Sequence, residues 1–163
     1  MSLATQRPLE AADEVYCVLV PVAEERLLLP RSCVLEVVNY RPPERIESAP
    51  PWLLGLFDWN GRRLPLVSFE AACGRALPEA SGRARVVILQ GVSGLVPGGH
   101  FALLALGFPQ HVRVNPEVVK PDPSRAFGER APVLCQVRMI NEYPLIPDLE
   151  RLEQMVSEES RAG

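Results

Sequence analysis

APPWLLGLFDWNGRRLPLVSFEAACG, residues 49–74, carries Asn60-Gly61 at its centre with apolar runs on both sides. Asn-Gly best tolerates positive φ at both middle positions of a type I′ turn, so the stretch predicts a tight β-hairpin. With a two-residue turn, Trp59 faces Arg62, Asp58 faces Arg63, Phe57 faces Leu64, Leu56 faces Pro65 and Leu54 faces Val67. Side chains alternate along a strand, which puts Leu53, Phe57, Trp59, Leu64 and Leu66 on one face and Leu54, Leu56, Pro65 and Val67 on the other. Both faces are apolar. One must cover a core, and the other must meet a second sheet, a subdomain or a partner.

Upstream, residues 1–13 are polar and interrupted by Pro8, the pattern of a flexible arm. Val15 to Val22 and Arg26 to Pro30 are rich in β-branched and leucine residues around Glu24-Glu25 and predict a second hairpin. Ser32 to Val38 reads as a strand, and Asn39 to Pro51, with Pro42, Pro43, Pro50 and Pro51, as a surface loop. After the central hairpin, Glu70 to Cys73 predicts a helical turn stopped by Gly74 in a left-handed cap. Arg85 to Gln90 and His100 to Phe108 are continuous apolar runs of strand length, bounded by glycine and proline. Gln110 to Pro123 is extended and edge-like, and Val133 to Ile140 with Tyr143 to Ile146 predicts a last hairpin. Asp148 is placed to cap a short helix carrying Leu149, Leu152 and Val156 on one side, with residues 157–163 as a frayed tail. Many short strands at regular spacing make an all-β fold, over residues 14–156, with two intertwined halves meeting near residues 75–84.

Composition excludes several classes. The 163 residues are 47% hydrophobic, enough for an ordinary core, and the formal charge is −3. Nearly all the basic residues are Arg and they are scattered, so there is no concentrated field for nucleic acid. The N-terminus lacks the pattern of a signal peptide and no apolar run has membrane-spanning length, so a cytoplasmic location is expected. Cys17, Cys33, Cys73 and Cys135 are far apart, without CxxC spacing, and read as free thiols. Cys73 with His100 or His111 is the one conceivable thiol dyad, and neither histidine lies in a motif. The glycines at 91, 94, 98 and 99 lack the spacing and the Lys-Ser/Thr pair of a phosphate loop, and Asp58 and Asp148 have no second acid at useful spacing. The residues point to a protein that is not an enzyme and needs no cofactor or metal.

Pro50 and Gly55, the turn ending in Gly61, Leu64-Pro65-Leu66-Val67 and Gly74 together resemble the signature of CheW-like domains, the adaptors that couple chemoreceptors to a histidine kinase. Val34-Leu35-Glu36-Val37, Val86-Val87-Ile88-Leu89, Phe101 to Gly107, Val118 to Pro123 and Leu145 to Leu152 follow in the matching order, so the similarity covers roughly residues 14 to 156. Trp52 and Trp59 in this setting are similar to those of the CheW-like proteins of type IV pilus (twitching motility) systems. The resemblance implies two small five-stranded β-barrels with a hydrophobic groove between them. It also implies a non-catalytic adaptor: one barrel docks the CheW-like regulatory domain of the kinase, and the groove receives the chemoreceptor signalling tip.

The chain departs from that pattern at three positions, with Asn60 where an Arg is usual before the hairpin glycine, and Ser68 and Leu106 where Asp is usual. Glu36 matches. The protein-binding residues that follow are Glu36, Trp59, Asn60 and Arg62, with kinase docking less affected by the departures than receptor binding. Trp59 equally suits a core aromatic, and Arg62 and Arg63 suit a solvated face. Pairing with other CheW-like proteins is a further expectation, from the apolar barrel edge. A second reading is a small-molecule sensor holding an apolar ligand in the groove between the barrels.

Overall fold

A computed structural model describes residues 14–162, with side chains to Ser160. The expected arm, residues 1–13, lies outside the described residues. In chain order the first seven strands are β1 (Val15–Val22), β2 (Glu25–Pro30), β3 (Val34–Asn39), β4 (Leu53–Trp59), β5 (Arg62–Val67), β6 (Arg85–Gln90) and β7 (His100–Ala105). β8 (Gln110–Val114), β9 (Lys120–Asp122), β10 (Val133–Arg138) and β11 (Leu145–Pro147) follow. A short helix, α1 (Phe69–Ala72), lies between β5 and β6, and α2 (Leu149–Ala162) ends the described chain.

The strands form a six-stranded sheet, β8-β1-β2-β11-β10-β9, and a five-stranded sheet, β3-β6-β7-β5-β4. The fold class is therefore the expected one, with one strand more than five in the first sheet. Residues 110–123 supply it: the Asn115 side chain accepts from the amides of Glu117 and Val118 at 2.9 and 3.0 Å, and this turn splits the segment into β8 and β9, which end on opposite edges. Residues 75–84, the expected division between the halves, form a connector. That segment joins α1 to β6 within the second sheet's span, whereas the chain changes sheets between β2 and β3 and again between β7 and β8. The five-stranded sheet is thus an insertion into the six-stranded one.

Period-2 alternation sorts the side chains into three cores. Val86 and Ile88 of β6, Ala102 and Leu104 of β7, and Phe57, Leu64 and Leu66 of the central hairpin fill the inside of the second sheet. Cys17, Leu19, Leu28, Val114 and Val137 fill the inside of the first. The opposite faces meet each other: Val18, Val20, Leu27 and Leu29 from one sheet pack with Val67, Val87, Leu89, Phe101 and Leu103 from the other, together with Phe69 of α1. Leu149, Leu152 and Val156 place α2 on this shared core. The Arg151 amide donates to Asp148 Oδ1 at 3.0 Å, the predicted cap. The helix runs on past Val156 to Ala162, over a stretch, SEESRA, that contains neither Gly nor Pro.

The central hairpin pairs as predicted from Trp59↔Arg62 through Leu56↔Pro65. Beyond that the register slips: Leu53, not Leu54, faces Val67, and Leu54 packs with the Phe57 core instead of facing away from it. Gly55 is the cause. Just past β3, Glu44 and Leu56 exchange backbone hydrogen bonds of 2.9 and 2.8 Å, which carries the chain across to β4 and helps curl the second sheet toward closure. At Gly55, φ is +143° and a Cβ would collide with the Glu44 carbonyl. Gly55→Ala is expected to lower the unfolding free energy by about 2 kcal/mol or more, measured by urea denaturation, and a loss below about 0.5 kcal/mol would contradict this role.

Candidate protein-contact surface at the hairpin tip

Asn60 (φ 50°) and Gly61 (φ 77°) form the left-handed pair that the Asn-Gly sequence requires, and so project the ends of β4 and β5 beyond the sheet. Trp59, the last residue of β4, is half-buried against the second sheet's core, and its Nε1 donates to Glu36 Oε1 at 2.7 Å. Glu36 sits on β3, the opposite edge of the same sheet, so this bond ties the two edges together. The His100 ring lies 5.8 Å from the Trp59 ring at 54°, a tilted aromatic contact. Arg62 Nη2 donates to the Gly98 carbonyl at 2.8 Å.

The structure thus brings Glu36, Trp59 and Arg62 together around the segment 97–100, with Asn60 exposed at the turn beside them. His100 joins the group without any local sequence signal; only the pairing of β7 between β5 and β6 puts it there. The guanidinium groups are committed within the chain, Arg62 to Gly98 and Arg63 to Glu44 at 2.9 Å. Of the other departures, Ser68 is fully buried and accepts from the Ala71 amide at 3.3 Å as the α1 cap. It faces no partner. Trp52 packs against the shared core, and its carbonyl accepts from the Ser68 amide at 2.8 Å.

Two buried carboxylates hold loops rather than a ligand. Glu70 accepts from the Ala23 amide at 2.7 Å, linking α1 to the β1–β2 turn. Glu153 of α2 accepts from the amides of Val92 and Ser93 and from the Ser93 hydroxyl at 2.8–3.1 Å, which fixes the β6–β7 connection. At the seam between the sheets, Glu25, only 11% exposed in its side chain, pairs at 2.8 Å with both Arg75 and Arg125. Behind them the shared core leaves a crevice of about 200 Å³ beside Cys73 and Leu145. That is smaller than the roughly 300–1,000 Å³ of small-molecule sites, whereas a more open recess of about 570 Å³ lies against the same Glu25–Arg125 pair, bordered by Arg26, Gln136 and Tyr143.

Burial pushes the Cys17, Cys33 and Cys73 thiols above their usual range, the Arg75 contact offsetting only part of it at Cys73. They are not poised nucleophiles. His100 lies against Trp59 and His111 on an exposed edge strand of the other sheet, so no thiol–imidazole dyad is assembled. Among the described residues no group of three His, Cys, Asp or Glu side chains could hold a metal ion, and no helix is long and apolar enough to cross a membrane.

Two packed sheets carry a partly exposed cluster of Glu36, Trp59, Asn60 and Arg62 at the hairpin tip. The sequence profile of the CheW-like domain matches residues 16–156, and the chain belongs to that family. The crystal structure of the scaffolding protein TtCheW from Thermoanaerobacter tengcongensis superposes with a TM-score of 0.70 at 20% identity, covering 85% of this chain and 86% of that one. A search of curated proteins matched none.

Because one bond links Trp59 to Glu36, a double-mutant cycle isolates it. Trp59→Phe and Glu36→Ala are each expected to destabilise, with a coupling of about 0.5–1.5 kcal/mol in urea unfolding. Additive effects would show that the bond contributes nothing.

Proposed function

We propose that the protein is a cytoplasmic, non-catalytic adaptor of a chemosensory assembly, which docks the CheW-like regulatory domain of a histidine kinase and presents the hairpin-tip cluster to a receptor signalling tip. The observation that carries this reading is the CheW-like match over residues 16–156. The surface formed by Glu36, Trp59, Asn60 and Arg62 supports it, because Glu36 of β3 is hydrogen-bonded to Trp59 beside the turn and all four are at least partly exposed. Rigid placement of a half-buried Trp and an Arg suits a contact surface, since little side-chain entropy is lost on binding.

Asn60 puts no positive charge at the turn itself, and Arg62 and Arg63 lie past it with their guanidinium groups turned to the Gly98 carbonyl and to Glu44. The kinase contact is therefore the stronger of the two, and the receptor contact is weaker than an Arg at the turn would give. Titration against the kinase domain and, separately, a receptor-tip fragment tests this. Binding to the kinase domain is expected, with weaker tip binding that Asn60→Arg strengthens about tenfold, the scale of one charge-assisted hydrogen bond. Absence of kinase binding would overturn the adaptor reading. Tip affinity unchanged by Asn60→Arg would overturn the role of the turn.

A further inference from the structure

The second sheet holds a pocket of about 520 Å³ lined by none of Glu36, Trp59, Asn60 or Arg62. Its floor is Leu53, Leu54 and Leu104, the last only 2% exposed, so the pocket reaches the barrel's own core. Five prolines line its walls, contributed by the loop after β3, the start of the central hairpin and the α1–β6 connection. The walls are preformed. The Glu44–Leu56 exchange pins one side, and the Leu53 amide bonds to the Pro50 carbonyl at 3.0 Å. Proline also offers no backbone N–H, so these walls present carbonyl acceptors but few donors.

Two of the chain's large exposed apolar side chains, Ile46 at 38% and Leu77 at 48%, flank this same opening. Apolar surface on both the floor and the rim favours an apolar occupant, and the volume suits a small molecule rather than a helix. Arg45 is the single charged side chain lining the pocket, and none of the described ion pairs involves it. Its neighbour Glu44 is taken by Arg63. An apolar body with one anionic end matches this arrangement.

We propose that this pocket binds a small apolar carboxylate, such as an aryl- or branched-alkyl-substituted acid, with the hydrocarbon on Leu54 and Leu104 and the carboxylate at Arg45. The site lies beside Gly55 and the base of the hairpin whose tip carries Glu36-bonded Trp59. Occupancy would stiffen the strand that presents the tip. This inference does not depend on the adaptor reading.

The probe is 4-phenylbutyrate, titrated into the full chain and followed by amide chemical shifts, with 4-phenylbutyramide as the uncharged control. Saturable shifts clustered at Tyr40, Ile46, Leu54 and Leu77 are expected. Arg45→Gln, an exposed change that leaves the fold intact, should weaken acid binding about threefold to fivefold and leave the amide unaffected, the scale of an exposed ion pair. Leu77→Arg should abolish binding of both by blocking the rim. No saturable shift, shifts clustered elsewhere, or equal weakening of acid and amide by Arg45→Gln would overturn the proposal. So would a chain that binds no probe but loses kinase-domain binding on Leu77→Arg, which would assign the pocket to a protein anchor.

Discussion

β6 and β7 send apolar side chains to both faces, and so do β1 and β2, so neither sheet is complete with one face in water. Val87, Leu89, Phe101 and Leu103 from one sheet meet Val18, Val20, Leu27 and Leu29 from the other, and all are buried. Each such side chain contributes on the order of 1.5–3 kcal/mol when fully buried, whereas a whole domain retains only about 5–15 kcal/mol of net stability. Separating the sheets would expose more than the fold can lose. The topology adds to this: the second sheet is inserted between strands of the first, and α2 packs over the junction through Leu149, Leu152 and Val156.

The shared core also decides what the molecule offers to others. With the two inner faces packed on each other, two recognisable features lie at the ends of the second sheet. One is the turn cluster of Glu36, Trp59, Asn60 and Arg62, and another is the proline-lined pocket beneath it. Both are rigid for the same reason, since the Trp59–Glu36 bond and the Glu44–Leu56 exchange each join β4 to β3 or its continuation. An adaptor needs fixed surfaces rather than reactive groups, and the buried carboxylates and thiols here serve packing and loop placement.

Local chemistry made the hairpin legible in the sequence: Asn60-Gly61 sets the turn, and the turn sets four consecutive cross-strand pairs. The slip at Gly55 was not legible, because its cause is the Glu44 carbonyl arriving from a separate loop. The same holds for the parallel pairings of β5 with β7 and β2 with β11, which no periodicity within either strand reveals. A polar stretch at 75–84 looked like a boundary because connectors and linkers share a composition. At the tip, Glu36, Trp59, Asn60 and Arg62 were named from the family resemblance, but the bond between the first two, the His100 contact and the internal ties of Arg62 and Arg63 depend on sheet order. Ser68 shows the converse, since a residue that stands out against the family pattern proves to be a helix cap, and Trp52, named from the resemblance, proves to be packed on the core.

Native-state hydrogen exchange over a denaturant series tests the dependence of each sheet on the other most directly. If the shared core makes them one cooperative unit, amides in β1 and β2 and those in β6 and β7 will converge on one opening free energy with one denaturant dependence. Opening of either sheet about 2 kcal/mol or more below the other, with its own shallower denaturant dependence, would show that the sheets stand independently and contradict the account.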